Sequence, residues 1–313
     1  MINVTMKQLR YFDALARHRH FGRAAEACGI SQPALSIQMK ELEALFGAPL
    51  IDRSAREIRL SGLGEELIIR AHSILRAVDE LEDLARKSQG PLAGPLRLGI
   101  IPTVAPYLLP DLIKHLAAHY PDLDVRPRET VTQTLIRDLV DGRLDVAVVA
   151  LPMSEPALFE APLLDEEFVL VRPLEDAGKP VPRPETLREM RLLLLEEGHC
   201  FRDQAISFCN LQSSPPRDLM EGSSLSTLVQ MVGAGIGVTL IPEMAVPIES
   251  RSAPVSIARL PKPRPRRRIG MVWRQSSPLA DKFGQIAQVL QDFTKSRTSA
   301  FGGTLMRPAQ SDG

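Results

Sequence analysis

Two of the three cysteines in this chain close a dodecapeptide, Gly198 to Cys209, that reads GHCFRDQAISFC. A cysteine reacts as its thiolate, and nearby cations and helix N-termini lower its pKa. His199 and Arg202 flank Cys200, and a helix beginning near Phe201 would set the sulfur at the positive end of its dipole. A thiolate so placed can be oxidised by peroxide to a sulfenic acid, which a second thiol resolves to a disulfide. Cys209 is the candidate for that second thiol. The spacing holds a conflict. If the eight intervening residues are helical, the two Cα atoms stand about 13 Å apart on opposite faces, whereas a disulfide needs them within about 7 Å. Joining them requires the segment to unwind, so the pair reads as a switch rather than a staple. The same residues also fit two buried cysteines acting as small apolar side chains, the most frequent fate of a free cysteine, and spacing alone favours that reading. No fourth ligand accompanies His199, Cys200 and Cys209 at sensible spacing, so neither a metal nor a cofactor is expected. Cys28 reads as a core residue of the N-terminal helices. Gly233 to Gly237 (GAGIG) follows a helix and precedes a strand, the reverse of the dinucleotide-binding order, and reads as a helix cap and turn.

The elements that must carry these residues begin with three helices. Leu9, Phe12, Leu15 and Ala16 recur at helical spacing, and Phe21 to Cys28 is a short alanine-rich helix. Gly29-Ile30 makes a tight turn, Ser31 is a good N-cap, and Pro33 sits in the first turn of a helix that runs to about Phe46. Leu35, Met39, Leu42 and Phe46 form its core face. Helix, tight turn, helix is the signature of a helix-turn-helix, here Phe21 to Lys40, whose second helix enters the major groove. Its outer face carries Gln32, Pro33, Ser36, Ile37 and Lys40, suited to base edges and phosphate. Short strands expected over Leu50 to Arg53 and Glu57 to Leu60 form a wing with Arg53, Arg56 and Arg59. Residues 1–60 hold nine Lys/Arg against six Asp/Glu, a local excess in a chain of zero net charge.

A long helix is expected from Gly62 to about Lys87. Leu67, Ala71, Ile74, Val78, Leu81 and Ala85 make an a/d seam, which fits pairing with a second copy. Gln89 to Pro95 is a hinge by composition. Beyond it, strands over Leu96–Ile101, Leu123–Glu129 and Leu144–Ala150 alternate with helices over Thr103–Tyr120 and Thr132–Val140, implying a parallel sheet. Further strands are expected at Phe168–Arg172, Leu192–Leu195, Ile236–Ile241 and Ile269–Trp273, with helices at Ser224–Val232 and Lys282–Thr294. Pro261 to Arg268 (PKPRPRRR) reads as a solvated loop, and the tail after Ser296 as loose. The fold class is thus α/β with an N-terminal α winged helix-turn-helix. The expected domains are 1–61 for DNA binding, 62–88 as the dimerisation helix, 89–95 as hinge, 96–296 as a two-lobed regulatory domain, and 297–313 as a flexible tail. Three cysteines in 313 residues, with no signal-peptide pattern and no apolar run of membrane length, lead to the expectation of a reducing cytoplasm and no membrane.

FGRAAEACGISQPALSIQMKELEALFGAPLIDRS closely resembles the helix-turn-helix and wing of the LysR-type transcriptional regulators. GHCFRDQAISFC, IPTVAPYLLP (Ile101 to Pro110) and SSLSTLVQMVGAGIGVTLIP (Ser223 to Pro242) resemble its hydrogen peroxide-sensing OxyR branch. The resemblance implies a DNA-binding regulator, not an enzyme, with a periplasmic-binding-protein-like pair of lobes. It implies Cys200 as the peroxidatic cysteine and Cys209 as the resolving one, with Thr103, Thr132, His199, Arg202, Asp203 and Arg267 around the peroxide. It also implies promoter operator DNA, a homotetramer built as a dimer of dimers, and RNA polymerase as partners. Two alternatives stay open: a LysR-type regulator that binds a metabolite between its lobes, and a thiol peroxidase, which would have no need of the helix-turn-helix.

Overall fold

The computed structural model describes residues 3–52, 58–88, 90, 92–187, 190–208 and 220–301. The chain divides into two compact units, Met1–Ala85 and Arg86–Gly313. The first unit contains α1 (Met6–His18), α2 (Phe21–Ala27), α3 (Gln32–Phe46), β1 (Ile51–Asp52) and β2 (Arg59–Leu60), and most of α4 (Gly62–Ser88). Local chemistry marks each start. At α1 the Gln8 N–H donates to the Thr5 hydroxyl at 3.2 Å, while the Thr5 N–H donates to Gln8 Oε1 at 3.0 Å; this reciprocal box satisfies two otherwise orphaned donors. At α3 the Ala34 N–H donates to Ser31 Oγ at 3.3 Å. Between α2 and α3, Gly29 has φ +65°, a left-handed conformation that glycine enters without steric cost. Phe12, Leu15, Ala24, Leu35, Met39 and Leu42 form the core, with Phe46 half-buried against it.

β1 and β2 pair antiparallel and are shorter than the expected wing strands; Arg53 lies outside the described residues. The α4 seam divides in character. Ala71 is fully buried and Leu67 packs on the core, but Ile74 and Leu81 are 44% and 65% exposed. His72 Nε2 lies 2.8 Å from Asp13 Oδ1, which ties α4 to α1.

The second unit runs β3 (Gly94–Ile100), α5 (Ala105–His119), β4 (Leu123–Glu129), α6 (Thr132–Val140), β5 (Val146–Leu151), β6 (Leu158–Pro173) and α7 (Pro184–Leu187). There follow β7 (Leu192–Leu195), α8 (Cys200–Phe208), β8 (Met220–Gly222), α9 (Leu225–Gly233), β9 (Val238–Pro242), α10 (Val246–Glu249), β10 (Val255–Arg259), β11 (Arg266–Arg274) and α11 (Ala280–Phe301). The strand order is β4-β3-β5-β11-β6-β9-β7-β8, with β10 also on β6. β3 pairs in parallel with β4 and β5, as the alternating pattern requires. β6 is shared: its first part pairs with β11 and its second with β9 and β10. Two separate cores flank this shared strand. One contains Ile100, Leu112, Val148, Met271 and Phe283; the other contains Phe168, Leu193, Phe201, Leu228 and Leu240. These are two α/β lobes, entered along β6 and left again before β11.

Several sequence expectations are corrected here. The strand expected at Phe168–Arg172 is the second half of a 16-residue strand. Pro162 disguises the first half, yet it sits opposite Gly270 where the ladder slips, and a bulge is one of the few places a strand tolerates proline. A Cβ on Gly270 would meet the Ala161 carbonyl oxygen at 2.8 Å, so the close approach needs glycine. The basic stretch Pro261 to Arg268 is not wholly a solvated loop, because Arg266–Arg268 open β11. Strand alternation turns Arg266 and Arg268 outward and Arg267 inward, where it is 3% exposed. The closing helix begins at Ala280 and continues past Ser296 to Phe301. β10 and β8 carry no turn-bounded apolar run long enough to announce them. Among the described residues no helix is long and apolar enough to cross a membrane.

Candidate functional site

Residues from separate segments of the second unit converge on one buried guanidinium. Arg267, the second residue of β11, donates from Nε to Glu166 Oε1 at 2.8 Å and from Nη1 to Thr103 Oγ1 at 2.7 Å. Its Nη2 donates to the Thr103 carbonyl at 3.1 Å. Thr103 lies in the turn between β3 and α5. Arg267 also stands 5.3 Å over the ring of Phe201, the residue after Cys200. Burial pushes the Glu166 carboxyl above its ordinary pKa, opposed chiefly by the Arg267 charge and by the Met244 N–H. The Met244 N–H donates to Glu166 Oε2 at 3.1 Å.

Cys200 is the first residue of α8 rather than the one before it, half-buried, and free of any disulfide. It packs against the core of the first lobe, while Phe201 and Ala205 are buried in the core of the second. Gly198, at φ +94°, forms the turn into α8, and a Cβ there would lie 3.8 Å from the Val131 side chain. The start of α8 therefore abuts the start of α6, which Thr132 opens. Thr132 Oγ1 is buried without a hydrogen-bond partner, as is Gln204 Oε1, one helical turn beyond Cys200. Buried polar groups left unpaired cost about 1–3 kcal/mol each.

The flanking cations differ from what the sequence suggests. Arg202 Nη1 donates to the Leu195 carbonyl at 2.8 Å and to Glu221 Oε1 at 2.6 Å, so a carboxylate already matches its charge. Burial holds the His199 imidazole below its usual pKa, with the Glu196 charge opposing; near neutral pH it is a hydrogen-bonding group rather than a cation. Asp203 is exposed in the first turn of α8, on the favourable side of the helix dipole. Cys209 lies outside the described residues. Among the described residues no set of three or more His, Cys, Asp or Glu side chains is arranged to hold a metal. Glu166 and Gln204 are the residues that sequence reasoning missed. Gln204 could have been found from its i+4 position to Cys200, and Glu166 from the acidic run Asp165–Glu167, which registers against Arg266–Arg268.

In the first unit the outer face of α3 is open. Gln32, Pro33 and Lys40 are exposed and Ser36 is half-buried. Ile37 is 56% exposed on the side of α3 away from Leu35, Met39 and Leu42. An exposed isoleucine beside glutamine, serine and lysine suits a groove that offers methyl groups, base edges and phosphates.

Residues 6–65 match the bacterial regulatory helix-turn-helix proteins of the lysR family, and residues 89–295 match the LysR substrate binding domain. A probable hydrogen peroxide-inducible genes activator from Streptomyces viridosporus is 43% identical over 293 residues, covering 92% of this chain and 94% of that protein. The DNA-binding transcriptional dual regulator OxyR of Escherichia coli (strain K12) is 39% identical over 291 residues, covering 92% and 95%. The solved structure of a hydrogen peroxide-bound OxyR mutant from Corynebacterium glutamicum is similar with a TM-score of 0.66 and 37% identity, covering 99% of both chains. The chain belongs to the LysR family of bacterial regulatory helix-turn-helix proteins.

Proposed function

We propose that this chain is a cytoplasmic, hydrogen peroxide-sensing transcriptional regulator, and not an enzyme. The carrying observation is the position of Cys200 at the N-terminus of α8, where Phe201 lies under the guanidinium that holds Thr103. In this reading the Cys200 thiolate attacks one peroxide oxygen and the O–O bond breaks. The departing oxygen takes a proton and leaves as water, so sulfur loses two electrons and becomes a sulfenic acid. The Cys209 thiol then attacks that sulfur, the disulfide forms, and a second water leaves. Thr103 and Thr132 hold the peroxide oxygens, Arg267 fixes Thr103, and His199, Arg202 and Asp203 border the site.

The second step cannot occur with α8 intact. Phe208 lies eight residues beyond Cys200 in that helix, about 12 Å along the axis. A residue bonded to Phe208 is only 3.8 Å further by Cα. It therefore stays more than about 8 Å from the Cys200 Cα, beyond the ~7 Å limit of a disulfide. Oxidation thus unwinds α8, which is packed on both lobe cores, and biases a two-state assembly. The DNA partner is a double-stranded operator, read by Gln32, Pro33, Ser36, Ile37 and Lys40, with Arg53 from the wing. The chain acts as a homotetramer, a dimer of dimers paired through the exposed part of the α4 seam, and engages RNA polymerase at activated promoters.

The test is to treat the full-length protein with equimolar peroxide, map disulfides by mass spectrometry and footprint its own promoter. A Cys200–Cys209 bond with an altered footprint is expected, and Cys200→Ser should abolish both. A footprint that ignores peroxide but follows a metabolite would overturn the proposal.

A further inference from the structure

Five buried side chains and two short backbone segments close into a ring that crosses the lobes. Arg267 binds both the hydroxyl and the carbonyl of Thr103. From Thr103 the chain turns into α5, where the Tyr107 N–H donates to the Val104 carbonyl at 3.1 Å. The Tyr107 ring does not join the core of its own lobe. It is 6% exposed in the core of the other lobe, while its helix neighbours Ala105 and Leu108 pack in the first. Its hydroxyl donates to Glu249 Oε1 at 2.7 Å, and Ser226 Oγ donates to the same oxygen at 2.9 Å. Glu249, 2% exposed, ends α10. Five residues earlier, the Met244 N–H reaches Glu166, and Glu166 returns to Arg267. Burial, then the bond to Glu249, push the Tyr107 phenol up, while the Arg267 charge acts on it in the opposite sense. The hydroxyl therefore stays a donor at any physiological pH.

We propose that Tyr107, with Glu249 as its acceptor, is a positioning residue for oxidation of Cys200: it pins the turn that carries Thr103 and so fixes the hydroxyl–guanidinium pair against which peroxide is held. Neither group touches the reacting atoms. The physical reason is that Thr103 sits in a turn between β3 and α5, held along the backbone by the Val104 and Ala105 N–H groups donating to the Ile101 carbonyl, while its side chain and carbonyl are fixed from outside the turn by Arg267. Two anchors, Arg267 on one side and the Tyr107–Glu249 bond on the other, add side-chain support to that turn. A closed ring of buried hydrogen bonds restrains each member from both directions, and partial loss of such a network frees the rest. This inference rests on the peroxide-site reading given above.

The experiment uses the full-length protein and two reagents that share the thiol but not the site. The rate of Cys200 oxidation by hydrogen peroxide needs Thr103 in place, whereas alkylation by iodoacetamide needs only a reactive, accessible thiol. Tyr107→Phe is expected to slow oxidation by about tenfold or more, as small misplacements of positioning groups do, and to leave alkylation within about twofold of the parent, since that reaction needs no such positioning. Glu249→Leu should give the same selective loss, and Glu249→Gln, which keeps an acceptor for the phenol, should restore most of the rate. In a Thr103→Val background, Tyr107→Phe should add nothing further, because the two act through one group. An unchanged oxidation rate in both Tyr107→Phe and Glu249→Leu overturns the proposal. So does a parallel fall of both reactions, or a full additional loss on top of Thr103→Val. If Thr103→Val alone leaves the peroxide rate untouched, the site reading itself fails, which is a separate result.

Discussion

Replacing Arg267 by methionine keeps most of the side-chain volume and removes the charge. The structure gives the consequences in order. The Nε bond to Glu166 and both bonds to Thr103 are lost, and Glu166 remains buried with the Met244 N–H as its remaining hydrogen-bond donor. Breaking a buried ion pair by removing one partner costs about 3–5 kcal/mol. For a domain of this size about 2–4 °C of Tm follows each kcal/mol, so the midpoint falls by roughly 6–20 °C. The pH dependence has a definite sign. The folded pKa of Glu166 is already above its unfolded value because of burial, and Arg267 is the leading influence that opposes the rise. A carboxyl raised in this way stabilises the fold when protonated, and that contribution disappears as pH rises through the folded pKa. Without Arg267 the pKa rises further. The defect is therefore smallest at a pH where Glu166 is protonated in both proteins and grows as pH rises through its folded pKa, by up to ~1.4 kcal/mol per pH unit, so it is compared at one acidic and one mildly basic pH. Urea unfolding at both pH values measures it, and adding Glu166→Gln, which cannot ionise, should flatten the pH profile and recover part of the loss. A defect under about 1 kcal/mol, equal at the two pH values and unrelieved by Glu166→Gln, refutes the idea that this pair is a desolvated charge couple.

Thr132→Val removes a buried hydroxyl with no partner at almost constant shape. Urea unfolding should show the variant as stable as the parent or more so by about 1–2 kcal/mol, while oxidation of Cys200 slows about tenfold; lower stability with an unchanged rate would count against the site. Ile37→Asp lies on an exposed face, so stability should change by less than about 0.5 kcal/mol, while operator affinity measured by anisotropy falls by roughly 1–3 kcal/mol. Lys40→Gln should reduce the salt slope by about one phosphate contact. Unchanged affinity in both at physiological salt moves the reading face elsewhere on the chain.

The parts of this molecule that the sequence announces are those whose cause is local. Ser31, Pro33 and the 3-and-4 spacing of Leu35, Met39 and Leu42 define α3 because capping and burial act within a few residues. The same holds for Ser224 at the head of α9. The placement of Cys200 at the head of α8 is legible too, since its neighbours in sequence frame that helix. What stays hidden depends on residues far apart in the chain. Arg267 looks solvated within PKPRPRRR, and only its pairing opposite Glu166, about a hundred residues earlier, explains its burial. Pro162 breaks the apparent strand because the bulge that accommodates it is formed by another strand. Tyr107 reads as an ordinary helix residue until the fold delivers Glu249 to its hydroxyl.

In the proposed switch, the placement of α8 lets a modest covalent event act on a whole domain. Its first residue lies against one lobe's core and its second lies in the other's, with Phe201 at 2% exposure and edge-on to Phe168 at 4.7 Å. In the proposed switch, unwinding that withdraws this ring would forfeit its burial, worth about 1.5–3 kcal/mol for a phenylalanine. It also frees the ring face beneath Arg267, so the cation–π contact goes with it, about 0.5–2 kcal/mol more. The reduced arrangement is thus held by roughly 2–5 kcal/mol of packing local to the switch. At about 30 mV per 1.4 kcal/mol, loss of that packing in the proposed Cys200–Cys209 oxidation would shift the potential of the couple by roughly 40–110 mV toward the reduced form. In the proposed switch the contacts that position Phe201 bias the thiol–disulfide equilibrium toward the reduced form, so sensitivity to oxidation and stability of the packing around α8 are adjusted by one set of residues.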